Sequence, residues 1–189
     1  INAYFNPTKN EIVFPAGILQ KPFFDINNDI AFNYGGIGAV IGHEMTHSYD
    51  DMGSKFNEKG ELENWWTDND RKKFKQKAKH FIDEYNKFKI HGKYVDGELT
   101  LGENLADHGG IKIAYAALQL DLKKNQNYNK KIYGFTPEQR FFISWANIWK
   151  CLITQEEAIK RLKTDVHSPN KFRINGTLYN IREFYDAFN

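Results

Sequence analysis

The sequence predicts an α+β fold that is dominated by helices and carries a short β-hairpin at its N-terminus. Three observations support this. Several long segments place apolar residues at helical spacing, Thr136 and Thr154 each begin a capping-box pattern, and two short strand-like runs occur at the start of the chain. The 189 residues are enough for one domain with its own core, and no repeat or internal boundary interrupts them. We therefore expect residues 1–189 to form a single domain.

The N-terminal hairpin is predicted from residues 1–5 and 11–14, which read as short strands. Asn6-Pro7-Thr8-Lys9-Asn10 between them has the composition of a turn, and Pro15 ends the second strand. Residues 16–29 read as an irregular loop over the core.

The next element is a helix over residues 36–51, with Gly53 as its stop signal. It contains His43-Glu44-Met45-Thr46-His47, so the two histidines lie one turn apart on one face. Ile37, Ile41 and Met45 follow four-residue steps and predict an apolar stripe away from the histidines. The helix also contains several glycines, which predict close packing against a neighbouring element.

A long helix is predicted to begin at Thr67 or Asp68, and another near Leu101. The apolar face of the first consists of Phe74, Ala78, Phe81, Ile82, Tyr85 and Phe88. In the second, Glu103 and Asp107 share a face, and Gly109-Gly110 indicates close contact with another element, for which the histidine helix is the candidate.

Three features of the sequence predict the structural elements in the C-terminal third of the chain. Residues 125–133 read as a polar surface loop, after which the capping boxes at Thr136 and Thr154 each open a helix. A last helix is predicted over residues 180–188, and residues 165–174 receive no element.

The histidine helix carries the pattern H-E-x-x-H, which is typical of zinc hydrolases with two histidine ligands and a glutamate base. A surface helix with solvated side chains is the alternative. Catalytic zinc takes three protein ligands, and Glu103 is favoured over Cys151 as the third. A carboxylate commonly holds the second nitrogen of a ligand histidine, which suits Asp107 and, for His47, Asp50. Each of these acids could instead be an ordinary surface group.

Composition limits the classes of partner. The formal net charge of +2 gives no indication of nucleic-acid binding, and no apolar run reaches the length of a membrane span. A single cysteine, Cys151, excludes an internal disulfide. This composition favours a bacterial cytoplasmic protein, with a secreted or cell-surface location as the alternative.

Four motifs together resemble the C-terminal catalytic portion of the neprilysin family of zinc metallopeptidases, which includes the endothelin-converting enzymes and bacterial oligopeptide endopeptidases. They occur in the family's order and span nearly the whole chain. The motifs are Asn2-Ala3-Tyr4, His43-Glu44-Met45-Thr46-His47, Gly102-Glu103-Asn104-Leu105-Ala106-Asp107, and Val166-His167-Ser168-Pro169 with Phe172-Arg173.

The resemblance implies a thermolysin-like (gluzincin) core and one Zn²⁺ per chain, held by His43, His47 and Glu103. Glu44 would be the general base, and Asp107 would orient a ligand histidine. His167 would stabilise the oxyanion of the tetrahedral intermediate.

The resemblance also implies a set of substrate-binding residues. Arg173 would bind a substrate carbonyl, and Asn2 and Ala3 would pair with the substrate main chain. The pocket for the side chain after the cleaved bond would be lined by Ile18, Phe23, Val40, Ile148 and Trp149. Because all five are apolar, we expect a preference for large hydrophobic residues.

The implied activity is endopeptidase cleavage of oligopeptides on the amino side of such residues. Family members have a large N-terminal region that closes over the cleft, and this chain lacks it, so we expect that region to be a partner of the site. The alternatives are a zinc-binding fragment that binds peptides with little or no catalysis, and a metal sensor, against which the retained Glu44 argues.

Overall fold

The computed structural model describes residues 1–189 and consists mostly of helices. Two antiparallel hairpins, β1–β2 and β3–β4, are its only sheets. The strands are β1 (Tyr4–Asn6), β2 (Glu11–Val13), β3 (Lys89–Ile90) and β4 (Lys93–Tyr94). The helices are α1 (Ile30–Asn33), α2 (Ala39–His47), α3 (Asp68–Tyr85), α4 (Leu101–Lys124), α5 (Pro137–Trp149), α6 (Gln155–Thr164), α7 (Asn170–Tyr179) and α8 (Arg182–Phe188). The predicted α+β, helix-dominated class is confirmed.

The N-terminal hairpin forms with Tyr4 opposite Val13, as the turn composition predicts. Its first strand begins at Tyr4, so the prediction that the strand includes Ile1–Ala3 is wrong. Ala3 is nevertheless buried, because it packs into the main core cluster.

The histidine helix is longer at its start than predicted. A π-helical segment, Tyr34–Gly38, joins α1 to α2, and the α-helix ends at His47 rather than near residue 51. The π segment accommodates very close neighbours, since a Cβ on Gly35 would lie 2.0 Å from the carbonyl oxygen of Phe141.

Helices α2 and α4 cross at glycines. A Cβ on Gly42 would lie 2.8 Å from the Gly110 carbonyl oxygen, and one on Gly110 would lie 2.5 Å from that of Ala39. The backbones therefore touch directly, which confirms the expected close approach and brings the functional faces of both helices together.

The apolar stripe predicted for α2 is wrong. Ile37 is buried, but Ile41 and Met45 are 39% and 46% exposed, whereas His43 and Glu44 are buried. The reason is that the glycine face of the helix packs on α4, so the buried face is set by small residues and not by large apolar ones.

The main core lies between α4 and α5 and is closed by α7 and α8. Its largest fully buried apolar side chains are Trp145, Phe141, Phe142, Ile111 and Leu118. Thr136 and Gln139 form the predicted capping box at the start of α5. At Thr154 only half of the predicted box forms, because the carboxylate of Glu157 instead accepts from Arg161 at 2.9 Å.

Helix α7, which the sequence pattern did not predict, begins directly after Pro169 and carries Phe172 and Arg173 into the interior. In the structure, no helix is long and apolar enough to cross a membrane.

Candidate zinc centre and peptide cleft

Helix α2 carries two histidines, and the Nδ1 atom of each ring contacts a carboxylate. His43 Nδ1 lies 2.7 Å from Asp107 Oδ1, and His47 Nδ1 lies 2.7 Å from Asp50 Oδ2. An ionised carboxylate only accepts hydrogen bonds, so each Nδ1 carries the proton and each Nε2 presents a lone pair in the neutral ring. The two Nε2 atoms are 3.0 Å apart, so a cation placed between them would be bound by the lone pairs of both rings.

Helix α4 brings a third ligand atom to the same point. Glu103 Oε2 lies 3.2 Å from His43 Nε2 and 3.7 Å from His47 Nε2. This oxygen is buried and has no hydrogen bond of normal geometry. Burial favours the neutral form of Glu103, but contacts with His167 and His43 outweigh it and hold the pKa of this carboxyl well below its usual range.

The three atoms suit a zinc ion. In a tetrahedral site with bonds of about 2.0–2.1 Å, neighbouring ligand atoms are about 3.3 Å apart. The observed separations of 3.0, 3.2 and 3.7 Å bracket that value. Two imidazoles and one carboxylate are also a donor set that catalytic zinc uses, leaving a fourth position for water. His43, His47 and Glu103 therefore fit the metal, while Cys151 is exposed and takes no part in this cluster.

Glu44 lies beside this centre. Its carboxylate oxygen is within 4.8 Å of the ligand nitrogens of both histidines, and the residue is only 5% exposed. Burial raises the pKa of Glu44 above its ordinary value. A carboxylate in this position can hold a water next to the metal and exchange a proton with it.

Asp107 connects the centre to a buried arginine. Its Oδ1 contacts His43, and both of its oxygens accept hydrogen bonds from Arg173, at 2.8 Å from Nε and 2.6 Å from Nη2. The Arg173 guanidinium also stacks on the ring of Trp149, 3.7 Å from its centroid. Burial opposes ionisation of Asp107, but Arg173 outweighs it and lowers the pKa of Asp107. Two of the three guanidinium nitrogens, Nε and Nη2, are thus hydrogen-bonded within the protein. The predicted hydrogen bond from Arg173 to a substrate carbonyl would therefore come from Nη1.

His167 lies on the other side of Glu103, with Nε2 3.2 Å from Glu103 Oε2. Its Nδ1 lies 2.8 Å from Asp165 Oδ1, and its backbone nitrogen donates to the same oxygen. Contact with Glu103 raises the pKa of His167, against the effect of burial. Asp165 was not among the predicted site residues, although an acid two residues before a predicted active-site histidine is a usable signal.

A cleft of about 1070 Å³ runs past these groups. It is lined by seven of the eight residues predicted to bind substrate: Asn2, Ala3, Ile18, Phe23, Val40, Trp149 and Arg173. Ile148 does not line it and is packed in the main core. Trp145, one turn before Trp149 on the same face of α5, occupies the cleft wall instead. The binding roles themselves stay predictions.

The chain matches known proteins over its whole length. The model of peptidase family M13 matches residues 2–189. Endothelin-converting enzyme 1 of Rattus norvegicus is 46% identical over 189 residues, and neprilysin of Mus musculus is 46% identical over 193. Both alignments cover 100% of this chain but only 25% and 26% of the relative.

Solved structures of similar proteins have the same fold as this chain. The inhibitor complex of Mycobacterium tuberculosis zinc metalloprotease Zmp1 superimposes with a TM-score of 0.95 at 48% identity, covering 99% of this chain and 29% of that one. PepO from Lactobacillus rhamnosis superimposes with a TM-score of 0.88 at 38% identity, covering 100% and 28%. The chain thus spans about a quarter of the length of the relatives it matches, and it belongs to peptidase family M13, the neprilysin family.

Proposed function

We propose that this chain is the catalytic part of a zinc-dependent endopeptidase that cleaves oligopeptides on the amino side of large hydrophobic residues. One observation carries the proposal. The Nε2 atoms of His43 and His47 and the buried Oε2 of Glu103 converge next to the carboxylate of Glu44, in the wall of an open cleft. The similar protein Zmp1 is a zinc metalloprotease, which supports the choice of metal.

One zinc ion per chain would be held by His43, His47 and Glu103, and when bound it would supply Lewis acidity that polarises the peptide carbonyl and makes water more acidic. Glu44 accepts the proton of the attacking water and later delivers it to the leaving amine. Its burial, which raises the carboxyl pKa, favours this exchange because the protonated form is then easier to reach.

His167 donates a hydrogen bond to the negative charge that develops on the carbonyl oxygen. Asp165 holds Nδ1, so Nε2 points at the reaction centre and can donate when the ring is protonated. A donor fixed in this way stabilises the tetrahedral intermediate more than the planar substrate.

The substrate is positioned by the cleft walls. Ile18, Phe23, Val40 and Trp149 supply an apolar pocket for the side chain after the cleaved bond. Asn2 and Ala3, at the start of the β1 edge, would pair with the substrate main chain.

The alternative is that the chain by itself binds zinc and peptides but turns over slowly. The observation that favours it is that the relatives are about four times longer, with this chain covering 25% of endothelin-converting enzyme 1. We propose that an N-terminal region of the full-length enzyme is a partner that closes the cleft, and closure can contribute about 7–11 kcal/mol through positioning and exclusion of water.

The test is to compare this chain with the full-length enzyme on one internally quenched peptide that contains a single Phe. At equal zinc occupancy, we expect both to cut on the amino side of Phe, with the chain alone much slower. Chelation should abolish cleavage by both, and added zinc should restore it.

Replacing Phe by Asp in the peptide is the matched substrate control and should remove cleavage. Equal turnover of the two proteins would contradict the proposed role of the closing region. Cleavage that survives chelation would contradict the zinc-dependent mechanism.

A further inference from the structure

We propose that a buried hydrogen bond between Ser168 and Asn104 positions His167 for its role at the oxyanion. Each partner of this bond directly follows a predicted site residue in the sequence. Asn104 follows the candidate zinc ligand Glu103, and Ser168 follows His167. Both are positioning residues, because they act through the residues that precede them and not by contact with the reacting atoms. The inference rests on the proposed peptidase function and adds two residues to those on which that function depends.

The hydrogen bond between Ser168 and Asn104 is excluded from solvent. Ser168 Oγ donates to Asn104 Oδ1 at 2.8 Å, and the two residues are 2% and 1% exposed. A buried amide oxygen that loses its donor cannot turn to water instead, so breaking this bond is unfavourable. The partners are 64 positions apart in the sequence. The bond therefore ties the first turn of α4 to the segment that precedes α7.

The orientation of the Asn104 side chain is set by Thr100, which is also buried. The Thr100 hydroxyl donates to the carbonyl oxygen of Asp96 at 2.8 Å, so it accepts from Asn104 Nδ2, at 3.0 Å. The other side of the amide, the oxygen Oδ1, must then face Ser168. Three hydrogen bonds in series thus lead from Ser168 to the backbone before α4, and they hold the acceptor for Ser168 in one orientation.

Residues 165–168, which carry His167, lie outside the helices and strands. The 2.8 Å contact of His167 Nδ1 with Asp165 lies within this segment, so it orients the ring without fixing the segment relative to α4. Apart from the contact of His167 with the candidate zinc ligand, the hydrogen bond from Ser168 to Asn104 is the only polar side-chain contact between this segment and α4. The position of His167 relative to α4 therefore depends on that bond.

The proposed role of His167 requires a precise position. Its Nε2 lies 3.2 Å from Glu103 Oε2, while 43% of its side chain is exposed and free of packing contacts that would hold it. A donor to an oxyanion acts only at hydrogen-bond distance, and a displacement of about 1 Å can lower the rate by about 10²-fold. A bond between the residues that follow His167 and Glu103 keeps the separation of these two side chains constant.

The test is a double-mutant cycle between Ser168 and His167 in the full-length enzyme, with the quenched single-Phe peptide as substrate and saturating zinc. Ser168→Ala removes the donor and should lower kcat by about 10-fold with little change in KM, because the hydrogen bond from His167 strengthens in the transition state. His167→Ala should lower kcat by about 10²–10³-fold. If Ser168 acts through His167, adding Ser168→Ala to His167→Ala should change kcat by less than about twofold.

The matched control is Ser144→Ala, which also removes a buried serine hydroxyl. Ser144 lies outside the cleft and donates to the carbonyl oxygen of Phe32 at 2.6 Å. This variant should lower the midpoint of thermal unfolding about as much as Ser168→Ala does, but it should leave kcat unchanged. Ser168→Cys is a second variant for the case that Ser168→Ala does not fold. Its thiol is a weak donor of similar size, so it should cause a smaller loss of kcat that again depends on His167.

Three outcomes overturn the inference alone while the unmodified enzyme cleaves the peptide. The first is an unchanged kcat in the Ser168 variants. The second is a loss of kcat by the same factor with and without His167, since a general loss of packing has this effect. The third is an equal loss of kcat in Ser144→Ala. Absence of zinc-dependent cleavage by the unmodified enzyme overturns the proposed function, and this inference with it.

Discussion

Replacing Glu44 by Gln is expected to lower peptide turnover by about 10²–10⁴-fold while leaving the zinc content unchanged. General acid–base catalysis contributes roughly this factor, and an amide of the same size cannot accept the water proton. Zinc should remain because the structure provides three other ligand atoms at 3.0–3.7 Å from one another. Turnover and zinc content should both be measured in the full-length enzyme of which we propose this chain to be the catalytic part.

Glu98→Gln is a suitable control for this experiment, since Glu98 is exposed and lies outside the cleft. It should leave turnover and zinc content unchanged. Near-normal turnover of Glu44→Gln would show that Glu44 is not the base. Loss of zinc from Glu44→Gln would instead show that Glu44 is a ligand, since its carboxylate lies within 4.8 Å of the ligand nitrogens of both histidines.

Asp107→Ala is expected to have two separate effects. Zinc affinity should fall by about 10–100-fold, because His43 loses the acceptor that fixes its tautomer and orientation. The metal-free protein should also lose about 3–5 kcal/mol of stability, because Arg173 is 6% exposed and would be left as a buried, unpaired charge. Zinc titration measures the first effect, and denaturant unfolding of the metal-free protein measures the second without a contribution from bound metal.

The double variant Asp107→Ala/Arg173→Met separates these effects. Removing the unpaired charge should recover part of the stability, while zinc affinity should stay low. Unchanged zinc affinity in Asp107→Ala would mean that this carboxylate serves only the ion pair. An equally low stability in the double variant would mean that the destabilisation does not come from Arg173.

The convergence of His43, His47 and Glu103 could be predicted because the signal is local. His43 and His47 are one helical turn apart, and so are Glu103 and Asp107, so each helix presents its pair whatever the tertiary arrangement. The glycines at the α2–α4 crossing indicated that these two faces approach each other, which the structure confirms.

The ion pair of Asp107 with Arg173 could not be predicted in this way. It joins α4 to α7, and α7 was not recognised because it begins directly after Pro169 with polar residues and no capping pattern. The exposure of Ile41 and Met45 was missed for a related reason. Their spacing is helical, but which face of α2 is buried depends on the packing partner, and α4 packs on the glycines.

We propose that His43, His47 and Glu103 hold one zinc ion at the wall of the cleft. The most direct test is a crystal structure of the zinc-loaded protein with an anomalous difference map recorded at the zinc absorption edge. We expect a single peak about 2.0–2.1 Å from Nε2 of both histidines and about 2.0–2.2 Å from a Glu103 oxygen. A peak at another position, or a zinc ion to which Glu103 is not bound, would contradict the account.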